Sequence, residues 1–209
     1  MNSEQILAVD DKKILELGEQ LRVAYQLKKK LRYAGTRDPL VHGESVAEHV
    51  FALLFLSQYF LPLEDPDGKM DRARVYEILL FHDFGEIPNG DVPYHLKTKA
   101  DEDQEKDDAE IVFKSLPAPI NKIGLERWKE YEEKSSPEAR FVNALDKIEP
   151  IFELLDPVSE KCLKTLKFTY EMHIGKKSKA TEFFPVMRRF VDVFSESTKS
   201  RGLFWEEES

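Results

Sequence analysis

The sequence predicts an all-α protein, an irregular multi-helix bundle. Apolar residues recur every three to four positions in almost every segment of the 209-residue chain, which is the spacing of a helix face. Clusters of glycine and proline separate these segments, and no segment alternates apolar and polar residues as a strand does. The length favours one domain, so we expect a single domain over residues 1–209.

The amino-terminal segment predicts one or two amphipathic helices. Apolar side chains recur at helical spacing over residues 4–31. Gly35, Asp38 and Pro39 then interrupt the pattern, because these residue types favour turns. A loop is therefore expected before the next helix.

A capping pattern predicts where the second helical region begins. Ser45 is followed three positions later by Glu48, the spacing of a capping box. We expect a helix from here through His49 to Phe60, ended by Pro62, Pro66 and Gly68.

The third helix is predicted from about Asp71 into the adjacent pair His82 and Asp83, with Gly85 as its terminator. A loop rich in turn residues should follow over residues 85–93. Five later helices are predicted over residues 101–115, 121–133, 136–155, 158–173 and 183–199.

Composition limits the classes of partner. The chain is 41% hydrophobic and 34% charged, as in an ordinary globular protein, and its formal net charge of -9 would repel a nucleic-acid backbone. We therefore expect no nucleic-acid partner. The basic stretch at residues 28–32 is either a solvated helix face or a local attraction for one phosphate.

Cysteine usage and hydropathy indicate the compartment. The apolar stretch from Val50 to Leu61 is too short to cross a bilayer, and the first residues lack the pattern of a signal peptide. We expect a cytoplasmic protein without a membrane partner. Because Cys162 is the single cysteine, any metal must be bound by histidine and carboxylate side chains.

Two histidines stand beside carboxylates in apolar helices. His49 borders an apolar helix face, where a lone histidine is more often a hydrogen-bonded core residue than a ligand. His82 and Asp83 follow the apolar run EILLF, where a buried carboxylate needs a cation or several donors. The alternative is that Asp83 is merely exposed at the helix end. With Glu86 nearby, the set suits metal-assisted hydrolysis.

Asp146 is the fourth candidate. It adjoins the apolar face of the segment 139–152. It is either a further ligand or a surface residue paired with Lys147 or Lys164, and spacing alone leaves both open.

Three blocks of sequence resemble one known family. ESVAEH at 44–49, HDFGEIPNGDVP at 82–93 and SSPEARFVNALDK at 135–147 are similar to the motifs of the HD-domain phosphohydrolases, in particular their 5'-deoxynucleotidase-like branch. The resemblance spans about residues 20–155. It implies a helical HD-domain fold, with residues 156–209 packing on the motif-bearing core.

The resemblance implies a metal site and a base. One divalent transition metal would be bound by His49, His82, Asp83 and Asp146. This donor set suits manganese, cobalt, iron, nickel or zinc, with magnesium as a further option. Glu86 corresponds to the residue that activates or orients the attacking water.

The resemblance also implies substrate contacts. Arg32 is matched to the phosphate-binding arginine, with Arg37 as a competing candidate, and Asp91 is placed against the sugar. The implied substrate-binding residues are Arg32, Tyr33, Asp91, Val92, Pro93, Tyr94 and Lys97.

The expected function is the removal of phosphate from nucleoside or deoxynucleoside 5'-monophosphates. The alternatives are an HD hydrolase acting on a triphosphate, a cyclic nucleotide or an alarmone, a non-catalytic nucleotide-binding regulator, and a structural protein with a chance motif.

A homodimer is expected because the segment after residue 155 is rich in aromatic residues. Most of them should complete the core, and the rest could form the contact between copies. They are Phe168, Tyr170, Phe183, Phe184, Phe190, Phe194, Phe204 and Trp205.

Overall fold

Helices form all the regular structure in the described part of the computed structural model. The structure describes residues 2–21, 46–88, 97–116, 119–153, 155 and 162–206. No strand is present in these ranges, so the all-α prediction is confirmed. The helices are α1 (Ser3–Ala8), α2 (Asp11–Leu21), α3 (Val46–Glu64), α4 (Arg72–Phe81), α5 (Lys99–Ser115), α6 (Ile120–Glu133), α7 (Pro137–Glu153), α8 (Cys162–Thr165), α9 (Tyr170–Ala180) and α10 (Pro185–Ser200), with a 3-10 turn at Phe84–Glu86.

The chain divides into two compact units. The first unit comprises Met1–Gly68 and Ala144–Ser209, and the second comprises Lys69–Asn143. Helix α7 begins in the second unit and continues into the first. The assignment of the whole chain to one domain remains a prediction.

The core of the first unit forms around α10, which packs against α1, α2, α3 and α9. Aromatic rings fill it: Phe190 meets Phe60 edge to face, with ring centroids 5.1 Å apart, and stacks with Phe194 at 6.0 Å. Such ring pairs bury large apolar areas and add orientation-dependent attraction. Gly18 on α2 lies so close to the Phe194 ring that a Cβ atom there would collide with it.

The core of the second unit lies between α4, α5 and α6. Phe81, Ala109, Phe113 and Trp128 are its buried members, and Phe84 stacks on Phe113 with centroids 5.5 Å apart. The apolar face of each helix is therefore buried against the other two.

Side-chain caps explain where several helices begin. The Asp71 carboxylate accepts hydrogen bonds from the backbone N–H groups of Ala73 and Arg74 at the start of α4. Thr98 and Asp101 form a capping box at the start of α5, and Thr169 caps α9. These bonds satisfy N–H groups that have no partner within the helix.

Two predicted helix ends are wrong. Helix α3 continues past Phe60 and through Pro62 to Glu64, so it ends before Pro66 and Gly68. A proline in the last turn removes one hydrogen bond without preventing the turn. Gly85 does not end α4 as a left-handed residue; α4 ends before His82, and Gly85 is buried within the 3-10 turn.

The predicted helix over residues 158–173 is also wrong. Within its described part, α8 covers only Cys162–Thr165, and Lys167 has a left-handed backbone with φ 53°. Thr169 then caps a separate helix, α9, which extends to Ala180. The remaining predicted helices agree with α5, α6, α7 and α10 to within about two residues.

Helix α3 is longer than the apolar stretch that the sequence indicated. Its 19 residues are long and apolar enough, by length and composition only, to cross a membrane. A buried core helix passes the same test, and seven α3 residues are buried within the protein, among them Leu53, Leu56 and Phe60.

Most of the aromatic residues after residue 155 are also buried, whereas Phe183 is 70% exposed.

Candidate functional site

His82 and Asp83 lie together at the carboxy-terminal end of α4. His82 is 1% exposed, and its ring lies edge to face against Tyr131 of α6, with centroids 5.1 Å apart. Its Nδ1 lies 2.9 Å from the carbonyl oxygen of Leu79, and its Nε2 lies 3.1 Å from Oδ2 of Asp83. The Asp83 side chain is half-buried, so it is not merely an exposed helix end.

This geometry determines the tautomer of His82. A carbonyl oxygen only accepts, so Nδ1 carries the hydrogen that it donates to Leu79. Nε2 then faces the Asp83 carboxylate either with a second proton or with a lone pair directed at a shared cation. Adjacent ligand atoms of one transition metal ion lie about 3 Å apart, given metal–ligand bonds of about 2.1 Å. The 3.1 Å between Nε2 of His82 and Oδ2 of Asp83 therefore fits a direct hydrogen bond as well as a shared metal ion.

His49 forms a second group with two carboxylates of α7. Its Nε2 lies 3.3 Å from Oδ1 of Asp146, and its Nδ1 lies 3.4 Å from Oε2 of Glu149. Burial of the ring opposes protonation, but the hydrogen bonds and charges of the two carboxylates outweigh it and raise the pKa of His49 well above 6.5. The two carboxylates therefore favour the protonated form of the ring when no metal is bound.

Asp146 has both of the environments that the sequence left open. Its Oδ1 faces His49, while its Oδ2 accepts a hydrogen bond of 2.5 Å from Nζ of Lys147. The Asp146 side chain is only 14% exposed, so it is not a surface residue. One oxygen of Asp146 therefore contacts His49, and the other contacts Lys147.

Glu86 and Lys97 lie near each other in the second unit. The Glu86 backbone N–H donates to the Asp83 carbonyl oxygen within the 3-10 turn, which fixes the backbone of Glu86 one turn after Asp83. Burial opposes protonation of Lys97, but its contact with Glu105 outweighs this and raises the pKa of Lys97. The charge of Glu86 contributes to the same rise. Lys97 is thus held as a cation near the predicted base.

A close helix approach positions the turn that carries Glu86. Gly85 packs against α5, where an added Cβ atom would lie 2.8 Å from Cγ of Glu105 and 3.0 Å from its carbonyl oxygen. Only a residue without a side chain fits there unless α5 shifts. The small residue therefore serves packing, which explains its position better than helix termination does.

The predicted phosphate and sugar contacts lie outside the described residues. These are Arg32, Tyr33, Arg37, Asp91, Val92, Pro93 and Tyr94.

Glu149 is a polar residue of this site that the sequence analysis missed. It is 1% exposed and lies three positions after Asp146, so both project from the same face of α7. The detectable signal was a carboxylate between Ile148 and Ile151, inside the apolar face of a helix. Burial of a charge at such a position requires partners.

A family model of the HD domain matches residues 24–187, more than three quarters of the chain. The chain belongs to the HD domain family. The matched segment contains the predicted metal ligands His49, His82, Asp83 and Asp146. The resemblance found in the sequence is confirmed.

Curated relatives of this HD domain are 5'-deoxynucleotidases. The 5'-deoxynucleotidase HDDC2 of Homo sapiens is 29% identical over 135 residues, which are 64% of this chain and 64% of that protein. The protein of the same name in Danio rerio is 27% identical over 166 residues, covering 78% of this chain and 74% of its own length. The matches to the mammalian relatives thus span slightly less than two thirds of their length.

A solved structure shares the fold of this HD domain. The crystal structure of a predicted metal-dependent phosphohydrolase from Magnetospirillum magnetotacticum superimposes with a TM-score of 0.66, over 92% of this chain and 98% of that one. At 24% sequence identity, the similarity shows the fold alone.

The donor types of this HD domain fit a transition metal. His49, His82 and Asp83 are half-buried or buried and offer imidazole nitrogens and a carboxylate oxygen. Imidazole with carboxylate suits manganese, cobalt, iron, nickel and zinc better than calcium, which prefers oxygen ligands alone.

Proposed function

We propose that the protein is a metal-dependent phosphohydrolase that releases phosphate from nucleoside 5'-monophosphates, with deoxynucleotides accepted at least as well as ribonucleotides. The observation that carries this proposal is the pair His82 and Asp83, whose Nε2 and Oδ2 lie 3.1 Å apart in an HD domain. The relatives named 5'-deoxynucleotidase support the substrate class.

The proposed metal ligands are His49, His82, Asp83 and Asp146. Leu79 supports this role for His82, because its carbonyl oxygen holds the proton on Nδ1 and leaves Nε2 for a ligand bond. The proposed cofactor is one divalent ion: manganese, cobalt, iron, nickel, zinc or magnesium. When bound, such an ion would polarise the phosphate and lower the pKa of a water molecule.

Glu86 is the proposed base that accepts a proton from the attacking water. Its place in the 3-10 turn directly after Asp83 supports this role, because a base must lie within reach of the reacting water. Lys97 is proposed to contact the substrate phosphate, and the raised pKa of its amine keeps it cationic.

The remaining substrate contacts follow the resemblance. Arg32, or Arg37 in its place, is proposed to neutralise charge on the phosphate oxygens as the bond breaks. Asp91 is proposed to accept a hydrogen bond from a sugar hydroxyl, which would favour 5'- over 3'-phosphates. Tyr33 and the segment 92–94 complete the proposed contact set.

A phosphate-release screen tests this function. The wild type and the variants His82→Ala and Glu86→Ala would be assayed on nucleoside mono-, di- and triphosphates and cyclic nucleotides with manganese, cobalt, zinc and magnesium. We expect inorganic phosphate from 5'-monophosphates, loss of bound metal and of activity in His82→Ala, and retained metal with activity reduced roughly 100-fold or more in Glu86→Ala. The exposed Glu102→Gln is the matched control and should behave as the wild type.

Other outcomes would refute the assignment. Release of triphosphate would indicate a different HD hydrolase. Phosphate release at the wild-type rate in both variants would exclude the proposed site. A wild type that binds nucleotide without hydrolysing it would indicate a regulator.

We also propose a cytoplasmic homodimer of a single-domain chain. The proposal of a dimer rests on the aromatic-rich segment after residue 155, within which Phe183 is exposed. Size-exclusion chromatography with light scattering should give twice the chain mass of 24.3 kDa, and a species at the chain mass would contradict the dimer.

A further inference from the structure

Both ring nitrogens of His49 face carboxylates of one helix. Asp146 and Glu149 are three residues apart on α7, and their oxygens lie 3.3 Å from Nε2 and 3.4 Å from Nδ1. Side chains at this spacing project from the same helix face, so α7 presents two acceptors to one imidazole.

The chemistry of imidazole limits what this arrangement can do. A neutral ring has one N–H group and one lone pair, and a metal ion binds through the lone pair. If Nε2, beside the proposed ligand Asp146, becomes a ligand atom, the remaining hydrogen must be on Nδ1. The group that accepts that hydrogen is then Glu149.

Glu149 is suited to this task because it is almost completely buried, at 1% exposure. A carboxylate in that environment is strongly disfavoured unless donors or cations compensate it. Besides His49, the buried amine of Lys177 interacts with its charge, while Lys177 Nζ donates to the carbonyl oxygen of Lys147. Groups on two helices, His49 on α3 and Lys177 on α9, thus interact with this carboxylate.

We propose that Glu149 is a positioning residue that accepts the Nδ1 hydrogen of His49 and so presents Nε2 of that ring to the metal. The proposal rests on the proposed metal site. A carboxylate partner orients the ring, fixes the tautomer and increases the electron density at the ligand nitrogen.

His82 offers an internal comparison. There the Nδ1 hydrogen is donated to the backbone carbonyl of Leu79, which no side-chain substitution removes. At His49 the acceptor is a side chain, so the contribution of this second contact can be measured by mutation.

The experiment compares Glu149→Gln and Glu149→Leu with the wild type. Zinc and cobalt affinities would be measured by competition with a chromophoric chelator, and the His49 tautomer by long-range 15N–1H NMR of the zinc form. Glu153→Gln makes the same chemical change one turn further along α7 and is the matched control.

We expect zinc affinity to fall roughly 10- to 100-fold in Glu149→Leu. Glu149→Gln should lose less, because its amide oxygen still accepts the hydrogen bond, and Glu153→Gln should match the wild type. In wild-type protein with zinc, the His49 signal should show Nδ1 protonated, and that signature should be lost or exchange-broadened in Glu149→Leu. If Glu149→Leu does not fold, Glu149→Gln, which has the same shape, still provides the affinity and NMR tests.

The possible failures are distinguishable. A wild type that binds neither metal overturns the proposed function together with this inference. Wild-type binding with unchanged affinity and an unchanged tautomer in both Glu149 variants overturns the role of Glu149 alone. Equal losses in Glu149→Gln and Glu153→Gln would show a general effect of charge on α7 and would also overturn it.

Discussion

Glu64 is a largely buried residue whose carboxyl group is unfavourable to ionise. It lies at the end of α3, where Oε1 accepts a hydrogen bond of 2.7 Å from the backbone N–H of Met187, in the first turn of α10. Burial raises the pKa of Glu64 from 4.5 to about 7, while hydrogen bonds from the backbone of Met187 and Val186 oppose the rise. The amino-terminal end of α10 therefore lowers the pKa of Glu64, whereas its buried environment raises it.

Because the pKa of Glu64 is raised in the folded protein, we expect the free energy of unfolding to decrease as the pH rises. Between about pH 4.5 and 7 the folded protein retains a proton on Glu64 that the unfolded chain has released, so the free energy of unfolding decreases through this window. Glu64→Gln keeps the acceptor without the charge. It should match the wild type near pH 4.5 and be more stable at pH 8 by on the order of 2 kcal/mol.

Urea unfolding of both proteins at the two pH values measures the difference. Exposed Glu182→Gln is the control and should show no pH-dependent gain. A Glu64→Gln variant that is less stable than the wild type at pH 8 would show that the charge stabilises α10 more than its burial costs.

The sequence predicted candidate metal ligands but not all of their neighbours. His82 and Asp83 were recognisable because a carboxylate followed an apolar run, and the structure places the two side chains in contact. Glu149 was missed because its signal, a carboxylate inside the apolar face of a helix, does not show which partner it has. Its importance depends on His49, which lies 100 positions away along the chain.

At the scale of helices, small residues determine where elements meet. Gly18 on α2 lies against the buried ring of Phe194 on α10. Gly124 on α6 lies against Phe113, where an added Cβ atom would be 2.5 Å from the ring. A methyl group at either position requires the facing ring or helix to move.

A matched pair of glycine substitutions tests this packing. Alanine favours helix over glycine by up to about 1 kcal/mol, but overpacking costs about 1 to 3 kcal/mol. Gly18→Ala should therefore destabilise the protein. Gly175→Ala on α9, where nothing lies within 4 Å of the added atom, should stabilise it by about 0.5 to 1 kcal/mol. Unfolding in urea measures both, and a gain in Gly18→Ala would contradict the contact.

Periodicity predicted most helices, and local contacts explain the errors. The spacing of apolar residues gave α5, α6, α7 and α10 because each buries one face. Helix α9 was missed because the break before it depends on the left-handed Lys167 and on the cap at Thr169. Neither residue type marks a boundary by itself. The end of α3 was placed too early because proline is tolerated in a last turn.

At the scale of the whole molecule, α7 is one helix whose residues belong to both units. A helix is a cooperative element, since each added hydrogen bond depends on the turns before it. Continuity of this kind favours unfolding of the two units in one transition, as the single-domain prediction requires.

The two tryptophans report on the two units separately. Trp128 is buried in the second unit, and Trp205 lies in the first, where its backbone N–H donates to the carbonyl oxygen of Phe168. In the single-tryptophan variants Trp128→Phe and Trp205→Phe, the fluorescence midpoint in urea should coincide with the midpoint from far-UV circular dichroism. Separate midpoints within one variant would show that the units unfold independently.

Lys177 gives the protein a built-in reporter of slow motion. Burial lowers the pKa of Lys177 to about 7, so at pH 8 its amine is largely neutral and chemically nucleophilic, yet the residue is only 7% exposed. An acylating reagent can therefore reach it only when α9 separates from its neighbours. Exposed Lys179 on the same helix should be acylated at once, and Lys177 at the rate of opening. Mass spectrometry after timed pulses would follow both, and equal rates would mean that this part of the molecule opens faster than the reagent reacts.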